Sequence, residues 1–122
     1  MSDRFCFILI YMDTLFSQRV VVLALSIPPG RVSTYGIIAQ KALGGTMASR
    51  SITHILGKAA HKGIKHIPFH RIVYSNGKVW CHEPYDTERK KLYKKEKIEI
   101  DEKGYIKNFR DVLYEFDDVS FE

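Results

Sequence analysis

The 122-residue sequence predicts a mainly α domain with small β-hairpins, organised as a winged helix-turn-helix. Three observations carry that prediction. Apolar residues recur at helical spacing in three segments before residue 60, and only a short Gly-containing turn separates the second segment from the third. Asn76-Gly77 stands between two β-type runs, the pattern of a tight hairpin. No Asp or Glu occurs between Thr14 and His82, a stretch that carries nine Lys or Arg.

The elements follow in order. The run "FCFILIYM" (5–12) reads as a buried strand. It is too short to span a bilayer, and it lacks the flanks of a signal peptide. Asp13 or Thr14 caps a first helix whose apolar positions are Leu15, Phe16, Val20, Leu23 and Ala24, and "IPPGR" (27–31) stops it. Thr34 caps a second helix with Tyr35, Ile38, Ala39 and Ala42 on one face, and Gly44-Gly45 ends it. A third helix, about 47–59, turns Ile52, Ile55 and Leu56 inward and Arg50, Thr53 and Lys58 elsewhere. Small residues around Arg50 let that backbone lie close to a groove. After the hairpin, residues 86–97 form a charged helix capped by Asp86 or Thr87, with Leu92 and Tyr93 inward and its Lys and Arg on a solvated face. Residues 98–107 form a second small hairpin, and "FRDVLYEF" (109–116) closes the fold as a short helix or strand. The whole is one domain over 1–122 with its core in 14–116, since no linker, repeat or low-complexity tract interrupts it.

The charge is lopsided. The net charge of +5 conceals residues 83–122, where twelve acidic side chains outnumber nine basic ones. Positive charge therefore gathers in the helix-turn-helix half, which fits a polyanion partner better than an unpartnered solvated surface. Catalytic and metal readings fare worse. The five His and two Cys make no zinc spacing, so no metal is expected. No Gly-rich phosphate loop is present, so no nucleotide cofactor is expected either. Cys6 and Cys81 form no disulfide framework, and Cys81 reads as a plain free thiol. "IPFHRIV" (67–73) has the look of a mount for a reactive group. His70 could serve a neighbouring nucleophile as base with Glu96 to orient it, but Phe69 supplies no nucleophile. A core histidine is the simpler reading.

The ordered motifs "IPPGRVSTYGIIAQKALGG", "ASRSITHIL" and "IPFHRIV" resemble the DNA-binding domain of alkylguanine-DNA alkyltransferases, closely over about residues 14–80 and more loosely over 83–116. In the dealkylating members the last motif is Pro-Cys-His-Arg, and the cysteine takes the alkyl group irreversibly. With Phe69 at that position, the chain looks like an alkyltransferase-like protein, the branch without the reactive cysteine, where tryptophan or alanine is usual.

The resemblance implies several roles. Arg50 would be the arginine finger that enters the duplex from the minor groove and fills the space of a flipped base, and Tyr35 would help rotate the nucleotide. Thr34, Ser51 and Lys58 would contact DNA. Tyr35, Leu56, Phe69, Ile72, Trp80 and His82 would line the alkylguanine pocket, and His70 and Glu96 would be relics of the catalytic relay. Ala59 replaces the family's hinge asparagine, and "VWCHEPYD" replaces its Ser- and Gly-rich pocket loop. Trp80 and His82 would thus form an aromatic rim for bulkier adducts.

The function so implied is recognition of guanine alkylated at O6 in double-stranded DNA, with the base flipped, no dealkylation, and the lesion flagged to nucleotide excision repair proteins. Such a protein would be a non-catalytic monomer of the cytoplasm or nucleoid, or of the nucleus in a eukaryote, with no membrane attachment. The rival readings are an alkyltransferase whose cysteine was substituted, one acting through Cys81, and a sequence-specific winged-helix regulator.

Overall fold

In the computed structural model, residues 14–44, 46–80, 86–119 and 121 are described, together with the backbone but not the side chains of Thr46 and Met47. The expected strand at 5–12, Cys81 and His82 lie outside these residues. The first helix, α1 (Leu15–Ser26), begins where Thr14 accepts from the Ser17 N–H at 3.0 Å. It ends at Ile27, whose extended backbone the following proline favours. A two-residue strand, β1 (Ser33–Thr34), leads directly into α2 (Tyr35–Lys41), and the Thr34 hydroxyl accepts from the Ile37 N–H at 3.1 Å.

The turn after α2 differs from the expected glycine stop. Leu43, not a glycine, takes the left-handed backbone, with φ 66° and an exposed side chain. Gly44 is required for another reason. A Cβ there would come within 2.5 Å of the Phe16 ring and 2.9 Å of Ala48 Cβ. The third helix is also built differently. It starts as a 3₁₀ segment (Thr46–Ser51) and becomes α-helical only over α3 (Ile52–His61). Ser51 occupies the N-cap position of α3 but makes no side-chain cap, and its hydroxyl donates back to the Ala48 carbonyl at 2.8 Å. The tighter winding displaces Arg50 from the regular helical phase and leaves it exposed. The inward set Ile52, Ile55 and Leu56 is as expected, with Ala59 joining it.

A second 3₁₀ turn (Phe69–Arg71) runs into β2 (Ile72–Val73), which pairs in parallel with β1, Ser33 opposite Ile72 and Thr34 opposite Val73. The expected Asn76-Gly77 hairpin is therefore only a turn, closed by Tyr74 and Lys78 backbone groups at 3.0 Å. Its outgoing arm pairs with Tyr105 instead of with β2. Parallel pairing captures the incoming arm because β1 offers a buried partner. Gly77 has φ +85°, and a Cβ there would press on the Phe109 ring at 3.1 Å. The second hairpin forms as expected, through an Ile100–Ile106 bridge and a turn at Gly104.

Helix α4 (Asp86–Lys95) buries Tyr93 to 2% exposure, while Leu92 is only half-buried. The expected closing element is both helix and strand: α5 (Phe109–Val112) followed by a bridge from Leu113 to Val32.

Two apolar clusters result. The larger joins α1, α2 and α3 with Ile72 and Phe116, and the smaller joins Val32, Val73, Val79, Tyr93, Ile98 and Ile106. Alternation along β2 sends Ile72 into one and Val73 into the other, so this short strand ties the helix-turn-helix to the C-terminal half. Among the described residues, no helix is long and apolar enough to cross a membrane.

Candidate nucleic-acid interface

A cavity of about 480 Å³ opens between the start of α2, the 3₁₀ segment before α3, the Phe69 turn and α4. That size falls within the roughly 300–1,000 Å³ usual for small-ligand sites. Tyr35 enters from the first turn of α2, directly after its cap. Ser49 and Arg50 enter from the 3₁₀ segment, and Thr53 and Leu56 from α3 at a spacing that puts both on one helix face. Phe69 enters from the second 3₁₀ turn, Ile72 from β2 and Tyr74 from just after it, and Trp80 and Arg89 complete the wall.

Of the ten described lining residues, four are aromatic, two are arginines and none is acidic. Tyr35 and Tyr74 tilt against each other with ring centroids 5.6 Å apart. Burial raises the pKa of the Tyr35 phenol, against the lowering effect of a hydrogen bond with Thr53. The phenol is therefore neutral at physiological pH and able to donate. Arg89 stacks on Trp80, its guanidinium carbon 4.6 Å from the ring centroid, and its Nη1 donates to the Trp80 carbonyl at 3.3 Å.

Behind Phe69 lies a connected polar cluster. His70, 8% exposed, places Nε2 2.7 Å from Glu96 Oε2. Arg71 grips the same carboxylate, with Nε 2.9 Å from Oε1 and Nη2 2.8 Å from Oε2. The Gly30 N–H donates to Oε1 at 3.1 Å, and Arg71 Nη1 reaches the Ile27 carbonyl at 3.0 Å. Burial opposes the charged form of Glu96, but donors from Arg71, His70 and Gly30 outweigh it and hold the carboxyl at about 2. Burial pushes His70 below its ordinary value, more than Glu96 raises it. A neutral His70 beside an ionised Glu96 carries its proton on Nε2 and donates it to the carboxylate. This is the geometry of an oriented general base. The adjacent side chain is a phenyl ring, with no proton to give and no lone pair to transfer to.

The sequence-predicted residues sort as follows. The structure brings Tyr35, Arg50, Leu56, Phe69, Ile72 and Trp80 together around one cavity, and His70 and Glu96 are in contact. His82 lies outside the described residues. Thr34 and Ser51 both spend their hydroxyls within the protein. Thr34 is 5% exposed with its hydroxyl used in capping α2, and the Ser51 hydroxyl bonds the backbone of its own turn. Lys58 is exposed on α3.

Sequence reasoning missed Ser49, Thr53, Tyr74 and Arg89. The i, i+3 spacing of Arg50, Thr53 and Leu56 could have revealed Thr53. Nothing in the charged run 86–97 distinguishes Arg89 from its neighbours.

The basic half also proves less uniform than its sequence. Arg31 donates to the Val112 and Leu113 carbonyls, Arg19 to the Ala42 carbonyl and Lys41 to the Val119 carbonyl. With Arg71, at least four of the nine cations in the acid-free stretch tie the fold together.

Comparison with known proteins agrees with this geometry. No curated protein sequence matches the chain. The fold matches Schizosaccharomyces pombe Atl1 in complex with damaged DNA containing O6-carboxymethylguanine, with a TM-score of 0.63, 27% identity, and coverage of 81% of this chain and 94% of that one. It matches S. pombe ATL in complex with DNA at a TM-score of 0.64, with the same identity and coverage. Residues 15–98 match the family described as 6-O-methylguanine DNA methyltransferase, DNA binding domain. Those residues contain α1, the helix-turn-helix, the Phe69 turn and α4, so the chain belongs to that DNA-binding family.

Proposed function

We propose that this protein binds duplex DNA containing guanine alkylated at O6, takes the flipped base into the cavity, and leaves its alkyl group in place. The observation that carries this reading is the cavity itself. Its mouth bears Arg50 on an exposed 3₁₀ shelf, and Phe69 occupies the position next to an intact His70–Glu96 pair. Extruding a base costs a few kcal/mol, and a side chain that enters the vacated stack offsets part of that cost. Arg50 has the exposure and reach for that role, with planar stacking and several donors. Tyr35, Tyr74, Phe69 and Trp80 offer π-faces to the extruded purine, and Tyr35 and Thr53 offer hydroxyls to its edge.

Chemistry stops at recognition. A dealkylating protein needs a nucleophile beside the oriented base, and the phenyl ring at position 69 cannot accept an alkyl group. A lesion that is held but not altered must be excised by other proteins, and nucleotide excision repair is the class of pathway this implies. The likeness to complexes of Atl1 with alkylated DNA supports the reading.

Competition titration tests it. A duplex carrying O6-methylguanine should bind more tightly than its unmodified counterpart. Arg50→Ala should weaken lesion binding by about tenfold, roughly the loss of one stacked, charge-assisted contact. If Arg50→Ala leaves lesion affinity unchanged, the finger role is wrong.

A further inference from the structure

Arg89 belongs to a helix whose other cations, Lys90, Lys91, Lys94 and Lys95, are exposed. It alone among them lines the cavity. We propose that Arg89 makes this cavity selective for O6 substituents that carry a negative charge, a carboxylate being the simplest. The inference rests on the reading of the cavity as an alkylguanine pocket and adds the class of adduct it prefers.

Three observations support it. First, Arg89 is partly buried and fixed by its stack on Trp80 at 4.6 Å and its bond to the Trp80 carbonyl. Stacking fixes the guanidinium plane and leaves its edge donors oriented, the condition for bidentate carboxylate recognition. Second, among the described residues the lining contains no Asp or Glu. Glu88 does share an adjoining cavity of about 230 Å³ with Phe69 and Arg89, but it does not line the larger one. Third, Arg89 shares the cavity with Tyr35 and Phe69 and a smaller adjoining one with Phe69 and His70, so its charge stands among the groups flanking Phe69. A cation serving only the DNA backbone would sit on the open face, as Lys58 does. In a partly enclosed site, a charge-assisted bond is less screened than on the surface.

The test uses four matched duplexes, carrying O6-carboxymethylguanine, its neutral O6-carbamoylmethyl isostere, O6-methylguanine or guanine. The wild-type protein should bind the carboxymethyl duplex about tenfold more tightly than the carbamoylmethyl one, the scale of one hydrogen bond to a charged group. Arg89→Gln should bring that ratio to about one, with a larger loss of affinity for the carboxymethyl duplex than for the other three. Arg89→Lys should restore part of the ratio, because it keeps the charge without the planar fork. A wild-type ratio near one, with the O6-methyl preference present, overturns this inference and leaves the alkylguanine reading standing. So does an Arg89→Gln loss that is equal on all four duplexes, the mark of a phosphate contact. A wild-type protein that ignores every adduct overturns both.

Discussion

Phe69 occupies a turn beside an oriented, hydrogen-bonded His70–Glu96 pair. His70 and Glu96 remain 2.7 Å apart, and Arg71 and Gly30 hold the carboxylate from its other sides. What this cluster does now is mechanical. It ties the loop before β1, the Phe69 turn and the end of α4 into one unit, so the back wall of the cavity is fixed. Glu96→Gln should therefore destabilise the protein by roughly 3 kcal/mol, because it leaves the Arg71 charge half-buried without its partner. Chemical denaturation reads this directly.

The same groups set an acid response. Glu96 titrates at about 2 when folded and near 4.5 when unfolded, so its stabilisation is complete above 4.5 and is lost as pH falls toward 2. His70 is depressed below 6.5 when folded, so the unfolded chain binds its proton more readily. Stability should begin to fall as pH drops below 6.5 and fall further below 4.5. Denaturant midpoints measured from pH 7 to pH 3 should decline throughout, and Glu96→Gln should flatten the lower part of that decline. The catalytic-looking seat was legible in "IPFHRIV", and so was the absence of a nucleophile. The grip of Arg71 on Glu96 was not, because the two lie 25 residues apart and nothing local links them.

At the scale of elements, the helix-turn-helix was legible because apolar period, caps and breakers all agree along residues 14–61. Its turn was misread. Gly44 suggests a helix stop, but it is needed where the Phe16 ring and Ala48 crowd the backbone. Gly44→Ala should cost about 1–3 kcal/mol through overpacking, and a loss of thermal midpoint with α2 itself intact would show it. A neutral outcome would mean that the turn has room the structure does not show. The 3₁₀ winding over Thr46–Ser51 has no clear pattern in "TMASRS", since short 3₁₀ runs differ from α-helix mainly in how tertiary packing closes them. That winding positions Arg50. Thr34→Ala separates a cap from a contact. It should cost about 1 kcal/mol of stability through the lost cap and leave the ratio of lesion to undamaged affinity unchanged. The hairpin at Asn76-Gly77 was misread for a topological reason. Its turn chemistry is right, but the incoming arm finds a better partner 39 residues upstream in β1, where Ile72 meets Ser33.

At the scale of the whole molecule, charge asymmetry pointed toward a polyanion before any geometry was known. The fold divides that asymmetry into two uses. Arg19, Arg31, Lys41 and Arg71 bond to backbone carbonyls or to Glu96, whereas Arg50 and Lys58 face outward from the helix-turn-helix. The two groups should separate in a salt titration. Lys58→Gln should weaken binding to all duplexes and lower the slope of log affinity against log salt by about 0.9, the value for one phosphate contact. Arg31→Gln should lower the melting temperature and leave that slope unchanged. The central claim is that this family member holds an alkylated guanine without repairing it. A duplex with radiolabelled methyl on O6 of a single guanine tests it most directly, with protein in excess and both binding and label followed. Lesion-preferring complex formation is expected, with all label remaining on the DNA. Label on the protein, or equal affinity for the unmodified duplex, would contradict it.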